Sequence, residues 1–584
     1  MSPKKTAPQS QPQVEVPPPP PRPRLSKIRI KNFRSIGTTA VEIELDDIVV
    51  LVGPNNSGKS SILRAYQVVM AHGSTEGKLT MEDFPNGYVN KKDYPEIELE
   101  TIVYDRTAPG EQWVLSNEQG EMYVKEKWVW LEPKKDPVKV GWDTTTQNWH
   151  ASRGPWGAPN VAKACRPKPH RIEAFEGPEK QAENVIKLLK EALEQKVKAL
   201  KSGNPKYQEL LSSLAEIHQT ILSETNTEID TVERHITETI SSIFPNHVVK
   251  FDANIDGDLD NCLSFFKTSP ILRMGIDKDG HHLSSIDRQG SGARRTLLWA
   301  ALRLLQEGRN DDTVMPNVLL LDEPELCLHP NAVRDACKIL YDLPKTNSWQ
   351  VMVTTHSPVF IDFSRDNTSI VRVERKDGES IQGTTLFRPL RARLDENDKT
   401  LLKILNLCDP YLAEFFFGGK TIVVEGDTEY TAFKYIVHHH PDEFKDIHIL
   451  RARGKATIVS LCKILNQFGS SYSVLHDSDT PTNSDGSKNS AWTMNENILQ
   501  ETKLNSSATN VRLVASKKNF ENTFFKKEVA KDKPYNAITQ LSTDSTSFKN
   551  IKKLLEGLMD HSKELPSEVL EWTSLQTLES FLNN

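Results

Sequence analysis

The sequence predicts an α/β protein in which a nucleotide-binding unit is followed by a second, smaller α/β unit. A glycine-rich loop, Gly53–Ser60, lies between a β-like run and an apolar-periodic segment. A strongly apolar strand at 316–324 ends in two carboxylates, and a further apolar strand begins at Lys420 and ends in a carboxylate and a glycine turn. Polar groups at the ends of apolar strands are typical of parallel sheets, whose functional groups gather at the carboxyl edge.

Length and composition favour a multidomain protein without a membrane partner. At 584 residues the chain is too long for one hydrophobic core. The net charge of −6 gives no overall basic field, so nucleic-acid binding would need a local groove. The sequence contains neither an apolar run of membrane-spanning length nor an apolar signal core, and we therefore expect a cytoplasmic location. The six cysteines lack a C-x-x-C pair, which argues against a zinc site or a disulfide framework.

Periodicity divides the chain into segments. Apolar residues such as Ile186, Leu189 and Leu193 fall at helical spacing, and a break at Ser202–Pro205 precedes a second periodic stretch to about Ile243. This pair predicts a helical hairpin, either a dimerisation arm or a locally packed insertion. The predicted segments are a disordered proline-rich tail (1–24), the nucleotide-binding unit (25–175 and 246–390), the helical insertion (176–245), a linker (391–417), the second α/β unit (418–547) and a helical C-terminal tail (548–584).

The glycine-rich loop has the spacing of a phosphate-binding loop, G-x-x-x-x-G-K-S. Its glycines let backbone N–H groups turn toward an anion, and the following helix N-terminus adds positive potential. We expect Lys59 to reach the β- and γ-phosphates of ATP and Ser60 to ligate Mg²⁺. The predicted nucleotide-binding loop residues are Asn55, Asn56, Ser57, Gly58, Lys59 and Ser60.

Three later segments complete a predicted ATPase site. Asp322 would hold Mg²⁺ and Glu323 would polarise the attacking water, because both follow a strand that ends at the same sheet edge as the phosphate loop. His356 follows another apolar strand and is placed to sense the γ-phosphate. Ser291 and Gly292 open a helix whose N-terminus would suit a phosphate bound by a facing subunit.

A second metal site is predicted in the later half of the chain. Asp477 and Asp479 end one apolar strand, and we expect Glu425, about fifty residues earlier, to end a neighbouring parallel strand. Alternate residues of an extended segment point the same way, so we expect Asp477 and Asp479 to share a cation. Oxygen ligands are those that Mg²⁺ or Mn²⁺ prefers, and such carboxylates suit phosphodiester chemistry.

The motifs of the first part of the chain resemble one known family, and those of the later part resemble another. Ile30–Ser35, the phosphate loop, the Gln289–Gly292 turn, Asp322–Glu325 and His356 resemble the ABC-type ATPase of the RecF/SMC group. No clear Q-loop glutamine follows the phosphate loop, and the signature turn lacks the usual Leu-Ser-Gly-Gly start. The strand ends of the later half resemble a Toprim domain. Together they resemble the OLD (overcoming lysogenization defect) family, over roughly residues 25 to 540.

The resemblance implies further properties. The implied fold is an ABC-type ATPase head with an inserted helical hairpin, followed by a Rossmann-like Toprim domain. Glu429 matches a second metal-binding glutamate, Glu521 a late acidic ligand and Lys533 a late catalytic lysine. The family also implies DNA as a partner, a homodimer or higher oligomer through the ATPase heads and helical insert, and anti-phage defence with a reverse transcriptase and its DNA–RNA product, or a helicase.

The predicted function is therefore that of an ATP-binding and ATP-hydrolysing, metal-dependent DNA endonuclease or nickase. The alternative is an SMC/RecF-like structural or DNA-repair ATPase with a non-cleaving Toprim domain. Long coiled coils would favour that alternative, whereas the helical insertion here is short.

Overall fold

The computed structural model describes most of the chain. The described residues are 23–104, 108–117, 120–156, 167–174, 176–202, 214–241, 244, 246–252, 271–276, 283–307, 317–346, 349–376, 380–409, 412–468, 471–483, 485–504, 511–526 and 532–583. The predicted tail therefore lies outside them, apart from its last two residues. Arg24, assigned to that tail, is instead the first residue of a strand because it continues the pairing of the β-sheet.

The strands are β1 (Arg24–Lys31), β2 (Val41–Glu44), β3 (Ile48–Val52), β4 (Glu96–Ile102), β5 (Leu115–Ser116), β6 (Met122–Val129), β7 (Val138–Asp143), β8 (Asn148–Trp149), β9 (Lys168–Ile172), β10 (Val248–Asp252), β11 (Ile271–Gly275), β12 (Leu283–Ser285), β13 (Asn317–Asp322), β14 (Trp349–Thr354), β15 (Thr368–Lys376), β16 (Ser380–Phe387), β17 (Lys420–Val424), β18 (Ile447–Arg451), β19 (Tyr472–Asp477), β20 (Val511–Ser516) and β21 (Val569–Glu571).

The α-helices are α1 (Lys59–Met70), α2 (Pro178–Ser202), α3 (Leu214–Ser241), α4 (Ser291–Glu307), α5 (Pro330–Asp342), α6 (Pro389–Ala392), α7 (Glu396–Cys408), α8 (Asp427–His439), α9 (Lys455–Leu465), α10 (Ser490–Lys503), α11 (Phe520–Phe525), α12 (Lys533–Thr543), α13 (Ser545–Met559) and α14 (Leu575–Asn583).

The nucleotide-binding unit is built on a largely parallel sheet. Its strand order among the described residues is β16-β15-β3-β14-β13-β9, with only β16 antiparallel to its neighbour. Every residue of β3, β13 and β14 is buried, as expected for strands covered on both faces. The register pairs Asp322 with Thr354 and Thr354 with Leu51. The phosphate loop and the acidic strand end therefore lie side by side.

An antiparallel sheet covers the other side of α1. It has the order β2-β1-β4-β6-β7-β8, with β5 paired to β6. The fully buried Trp128 and Trp130 belong to the same core as Ile62 and Leu63 of α1. The strands β5 to β8 lie between residues 105 and 170, and the two tryptophans of this region support the helix that carries the phosphate loop.

The predicted helical hairpin is present as α2 and α3. Its base is packed: Val185 and Leu189 of α2 and Ile236 of α3 are buried in one core with Leu297 of α4. The predicted break falls at the end of α2, and residues 203–213 lie outside the described part of the chain. The base of the hairpin thus positions α4, the helix that begins at the signature turn.

The second unit has a five-stranded sheet of order β18-β17-β19-β20-β21 among the described residues, with β21 antiparallel. The strands β17 and β19 are direct parallel neighbours, as the sequence predicted. The prediction of a separate C-terminal tail was wrong. Residues 548–584 include β21, which completes this sheet, and Leu554 and Leu558 of α13, which are buried in the core of the unit.

The linker prediction was also wrong, because residues 391–417 are folded. A capping box between Asp395 and Asp398 begins α7, whose Leu402 and Leu405 are buried. A 3-10 helix, Leu412–Phe417, leads directly into β17. Apolar side chains at helical spacing are buried between the two units, which share one continuous hydrophobic core.

Among the described residues, none of the helices combines the length and apolar character needed to cross a membrane.

Candidate active sites

The phosphate loop depends on two glycines. Gly53 has φ of +139°, and a Cβ at this position would lie 2.1 Å from the carbonyl oxygen of Val373. Gly58, with φ of +101°, directly precedes α1. Side chains other than glycine are strained at both backbone positions, and at Gly53 they have no room. The sequence therefore folds this loop around the N-terminus of α1.

The centre of the loop fits a bound phosphate. Lys59 Nζ donates to the carbonyl oxygens of Gly53, at 2.9 Å, and Pro54, at 2.8 Å. The Ser57 hydroxyl is buried and has no hydrogen-bond partner in the described structure. Burial lowers the pKa of Lys59, while the carboxylates of Glu323 and Asp322 oppose that change. An anion would satisfy the orphaned hydroxyl and compensate the buried ammonium group.

Ser60 and Asp322, the predicted Mg²⁺ ligands, are in direct contact. The Ser60 hydroxyl donates to Asp322 Oδ1 at 3.1 Å. The same oxygen accepts a 2.6 Å hydrogen bond from the Thr354 hydroxyl. A hydroxyl and a carboxylate held together are the donor set that an octahedral Mg²⁺ uses in nucleotide sites. The residues present therefore fit the ion predicted there.

Glu323 is held in an unusual backbone conformation beside His356. Its φ is +47°, and its N–H donates to the carbonyl oxygen of Thr354 at 3.0 Å and to the Thr354 hydroxyl at 3.1 Å. His356 Nε2 lies 3.5 Å from Glu323 Oε1. Burial and the nearby Lys59 lower the pKa of His356. Left-handed backbone at a non-glycine residue is typical of functional positions, where surrounding bonds hold it.

The predicted signature residues, Ser291 and Gly292, form the first turn of α4. A Cβ on Gly292 would lie 2.8 Å from the carbonyl oxygen of Cys327, so the turn packs closely on the loop after β13. Arg295 of the same helix donates to the carbonyl oxygen of Glu323 at 3.4 Å. The signature helix is therefore tied to the catalytic loop of its own subunit.

In the second unit, acidic side chains gather at the carboxyl edge of the sheet. The Asp477 N–H donates to Glu425 Oε2 at 3.0 Å, which joins the ends of β17 and β19. Glu429 and Glu521 are 3% and 5% exposed, respectively. Lys533 Nζ lies 3.1 Å from Glu521 Oε1. The structure thus brings together all of the predicted residues except Asp479.

These carboxylates are buried and close enough for their charges to repel one another. Burial, followed by the charges of Glu425 and Glu521, raises the pKa of Glu429 to about 7. Burial, with Glu429 and Glu425 next, raises the pKa of Asp477 well above its usual value. Within the described ranges no three acidic, imidazole or thiol side chains are already arranged around one ion. Since buried like charges need a counter-charge, the residues fit a divalent cation whose binding would reorient them.

Asp479 does not share the position of Asp477. The strand β19 ends at Asp477, and Asp479 has φ of +56°, so the extended alternation on which the prediction depended stops before it. Its carboxylate pairs with Lys455 Nζ, which also donates to Asn495 Oδ1 at 2.7 Å. The prediction that Asp477 and Asp479 point the same way on one extended segment is therefore wrong. Asp479 still acts on the cluster, because its charge raises the pKa of Glu425, after burial as the main cause.

Sequence reasoning missed the hydroxyl groups that position these carboxylates. Ser516, at the end of β20, donates to Asp477 Oδ1 at 2.7 Å. Thr428 donates to Glu521 Oε1 at 2.8 Å. Thr354 holds Asp322, as described above. The available signal was position, because Ser516 and Thr354 each end a parallel strand next to an acidic strand end.

Comparisons with known proteins agree with this division. An AAA ATPase domain matches residues 24–104 and 170–361, and the TOPRIM domain of overcoming lysogenization defect protein-like proteins matches residues 416–479. The Old nuclease of Escherichia phage P2 is 22% identical over 483 residues, which cover 79% of this chain and 78% of the relative. The OLD nuclease of Thermus scotoductus is 21% identical over 489 residues, covering 82% and 84%.

Among solved structures, an Smc head bound to the C-winged helix domain of ScpA aligns with 15% identity and a TM-score of 0.39, over 62% of this chain and 98% of the other. The two units and their sites define an ATPase joined to a Toprim hydrolase, a combination that uses a nucleotide and a divalent metal. The two domain matches and the similarity to two OLD nucleases along most of the chain support an ATPase–Toprim nuclease of the OLD family.

Proposed function

We propose that this protein is a divalent-metal-dependent DNA endonuclease or nickase whose cutting is coupled to ATP binding or hydrolysis. The observation that carries the proposal is the acidic cluster of the Toprim unit, in which Glu425, Glu429, Asp477 and Glu521 repel one another in a buried setting beside Lys533. The ion is Mg²⁺ or Mn²⁺, which take oxygen ligands of this kind. The anti-phage role and a reverse-transcriptase or helicase partner stay predictions.

In the ATPase unit, each residue has a distinct task. Lys59 exchanges its loop carbonyl partners for the β- and γ-phosphates of ATP. Ser60 and Asp322 would hold the Mg²⁺ that accompanies the nucleotide, and the ion would supply positive charge to the phosphate oxygens. Glu323 accepts a proton from the attacking water, and its fixed backbone aims the carboxylate. His356, whose pKa is lowered, is neutral at pH 7 and contacts the same water or the γ-phosphate.

In the Toprim unit, Glu425, Glu429, Asp477 and Glu521 would hold the cation, and Asp479 would join them when released from Lys455. When bound, the cation supplies charge stabilisation to the attacking and leaving oxygens of a phosphodiester. Lys533 adds positive charge where the phosphorane develops, because its side chain is half exposed at the rim of the cluster. Ser516 and Thr428 fix the orientation of two of the carboxylates by hydrogen bonds.

A short aromatic connection supports coupling between the two sites. The ring of Phe417 stacks on His356 with 6.5 Å between centroids and 18° between planes. Phe415 and Phe416, in the same 3-10 helix, are buried in the shared core, and Arg372 of β15 donates to their carbonyl oxygens. The helix leads directly into β17, which ends beside Glu425. Movement of His356 on nucleotide binding would therefore reach the Toprim sheet.

Dimerisation through the ATPase heads is part of the proposal. The first turn of α4, at Ser291 and Gly292, would complete the nucleotide site of a facing subunit, and the helical hairpin would add to the interface. Arg295 links this turn to Glu323 within one subunit. Contact from a partner at the turn would thus be felt at the catalytic carboxylate.

The test is incubation of purified protein with supercoiled plasmid and either Mg²⁺ or Mn²⁺, with and without ATP. Nicked or linear product that requires the metal is expected, with a rate that changes when ATP is added. Asp477→Asn should abolish cutting and leave ATP hydrolysis unchanged. The matched control is Glu579→Gln, which removes an exposed carboxylate of α14 and should cut normally.

Two outcomes would reject the proposal. Metal-dependent hydrolysis of ATP without any cutting, on supercoiled plasmid as well as on relaxed and single-stranded DNA, would favour the structural ATPase with a non-cleaving Toprim domain. Cutting that survives in Asp477→Asn would place the nuclease site elsewhere. Phe417→Leu tests the connection: cutting that no longer responds to ATP is expected, with both separate activities retained.

A further inference from the structure

A cavity of about 480 Å³ lies beside α1. Its walls come from Arg64 and Gln67 of α1, the turns that follow α1, the end of β9 and the first turns of α2. Residues 53–60 do not line it. The volume is in the range of small-molecule sites in proteins.

Cationic side chains dominate the walls of this cavity. The five that line it are Arg34, Arg64, Arg171, Lys180 and Lys187. Four acidic residues also contribute, but they are unequal: Glu76 and Glu82 are exposed, Glu173 is partly exposed, and Asp83 is 1% exposed. The buried part of the wall therefore has more positive than negative groups.

The three arginines are held together by two shared acceptors. Asp83 accepts from Arg34 Nε at 2.8 Å and from Arg64 Nη2 at 3.5 Å. The Gln67 side-chain oxygen accepts from Arg64 Nη1 at 3.1 Å and from Arg171 Nη1 at 3.0 Å. Asp83 is further committed to the Thr80 N–H and hydroxyl. One carboxylate and one amide oxygen are thus shared among three guanidinium groups, and Arg64 Nη1 also donates to the carbonyl oxygen of Glu76 at 3.2 Å.

Arg171 is the group left short of partners. Its side chain is only 8% exposed, and its Nε is buried without a hydrogen-bond partner in the described structure. Arg171 Nε lies 3.6 Å from the carboxylate oxygen Oε1 of Glu173. The same carboxylate also pairs with Lys180, whose Nζ lies 3.2 Å from Oε2. Burial lowers the pKa of Arg171; the charges of Glu173 and Asp322 oppose this change, whereas those of Arg34 and Arg64 add to it. A buried cation in this state gains from an added anion.

We propose that this cavity binds the phosphate groups of a small, nucleotide-sized ligand at a site separate from the phosphate loop. A guanidinium group can donate two parallel hydrogen bonds to a phosphate, and the unpaired Nε of Arg171 offers a donor for such a contact. The register pairs Ile172 of β9 with Leu321 of β13, one residue before Asp322. A ligand that contacts β9 and α1 together would therefore influence the position of Asp322 through the pairing of β9 with β13.

The test uses inorganic pyrophosphate as the probe and the full-length Lys59→Ala protein, in which the phosphate loop no longer competes. Isothermal titration should show saturable binding. Arg171→Met and Lys187→Glu should each weaken it by at least about tenfold, which corresponds to loss of one charge-assisted hydrogen bond. Lys338→Glu, a charge reversal on the exposed face of α5, is the matched control and should leave the affinity unchanged.

Absence of pyrophosphate binding to the Lys59→Ala protein would overturn the proposal, as would binding that neither Arg171→Met nor Lys187→Glu affects. Binding of a 12-nucleotide DNA strand that Lys187→Glu removes, without pyrophosphate binding, would also overturn it in favour of a nucleic-acid contact surface. If Arg171→Met fails to fold, as judged by circular dichroism, Lys187→Glu decides the outcome, because Lys187 is exposed and removing it leaves no buried gap.

Discussion

Replacing Glu429 by glutamine should stabilise the Toprim unit when no metal is present. Glu429 is 3% exposed, and burial with its acidic neighbours raises its pKa from 4.5 to about 7. At roughly 1.36 kcal/mol per pKa unit, that difference corresponds to at most about 3–4 kcal/mol of folding free energy lost when the carboxylate ionises. Glutamine keeps the shape of the side chain and removes the charge.

The sign of the pH dependence follows from the same values. The folded state binds the Glu429 proton more tightly than the unfolded chain does, so the penalty is absent below pH 4.5, grows above it and is complete above about pH 7. At pH 8 in EDTA, Glu429→Gln should therefore be more stable than the wild type, and the two should converge toward pH 5. With Mn²⁺ the order should reverse, because the wild type binds the ion through one more oxygen ligand of full charge.

The assay is hydrogen–deuterium exchange of the α8 peptide, residues 427–439, which reports local opening without assuming that the whole chain unfolds together. Slower exchange in Glu429→Gln than in the wild type is expected in EDTA, and faster exchange in Mn²⁺. Glu579→Gln should follow the wild type in both. If the α8 peptide exchanged at the same rate in Glu429→Gln and the wild type under all conditions, the carboxylates of the cluster would neither repel one another nor bind an ion.

Three further predictions address the ATPase unit and its junction with the Toprim unit. Lys59→Ala should weaken ATP binding by about a hundredfold, measured by isothermal titration, because charge-assisted contacts to two phosphates are lost; unaltered affinity would reject the phosphate-loop assignment. Glu323→Gln should bind ATP normally and hydrolyse it about 10²–10⁴ times more slowly, and normal turnover would mean that another group accepts the proton. Asp398→Asn should cost about 1.5–3 kcal/mol in urea denaturation at pH 7, because Asp398 accepts from Lys463 Nζ and the Ser460 hydroxyl at 2.6 Å each. Burial acts to raise the pKa of Asp398, but these partners lower it below 3.8 in the folded state. The stability difference between the wild type and Asp398→Asn should therefore be lost as the pH falls from 3.8 through the pKa of folded Asp398.

Much of the two sites was predictable from sequence, because motif spacing places groups at strand ends. The phosphate loop, Asp322 and His356 follow successive strands of one parallel sheet, and the sheet edge brings them together whatever the intervening length. The same reasoning placed Glu425 and Asp477 on neighbouring strands, which the pairing of β17 with β19 confirms.

The errors came from positions where local pattern and tertiary context disagree. The alternation rule failed at Asp479 because the backbone turns left-handed there and Lys455 claims the carboxylate. We predicted a linker over residues 391–417 because the stretch with helical spacing, which includes Leu402 and Leu405, is short. These two side chains are buried only by the packing between the two units. Hydroxyl groups such as Ser516 belong to no motif; their position at a strand end is a weak signal, and the sheet register shows which carboxylate each one contacts.

The most direct test of two separate cation centres is a calorimetric Mn²⁺ titration of the wild type with and without a non-hydrolysable ATP analogue. Two classes of site are expected, one of them present only with the nucleotide. Asp322→Asn should remove the nucleotide-dependent class alone, and Glu425→Gln the other alone. A single class that either variant removes, or one that no variant affects, would contradict the assignment of one ion to the nucleotide and another to the nuclease site.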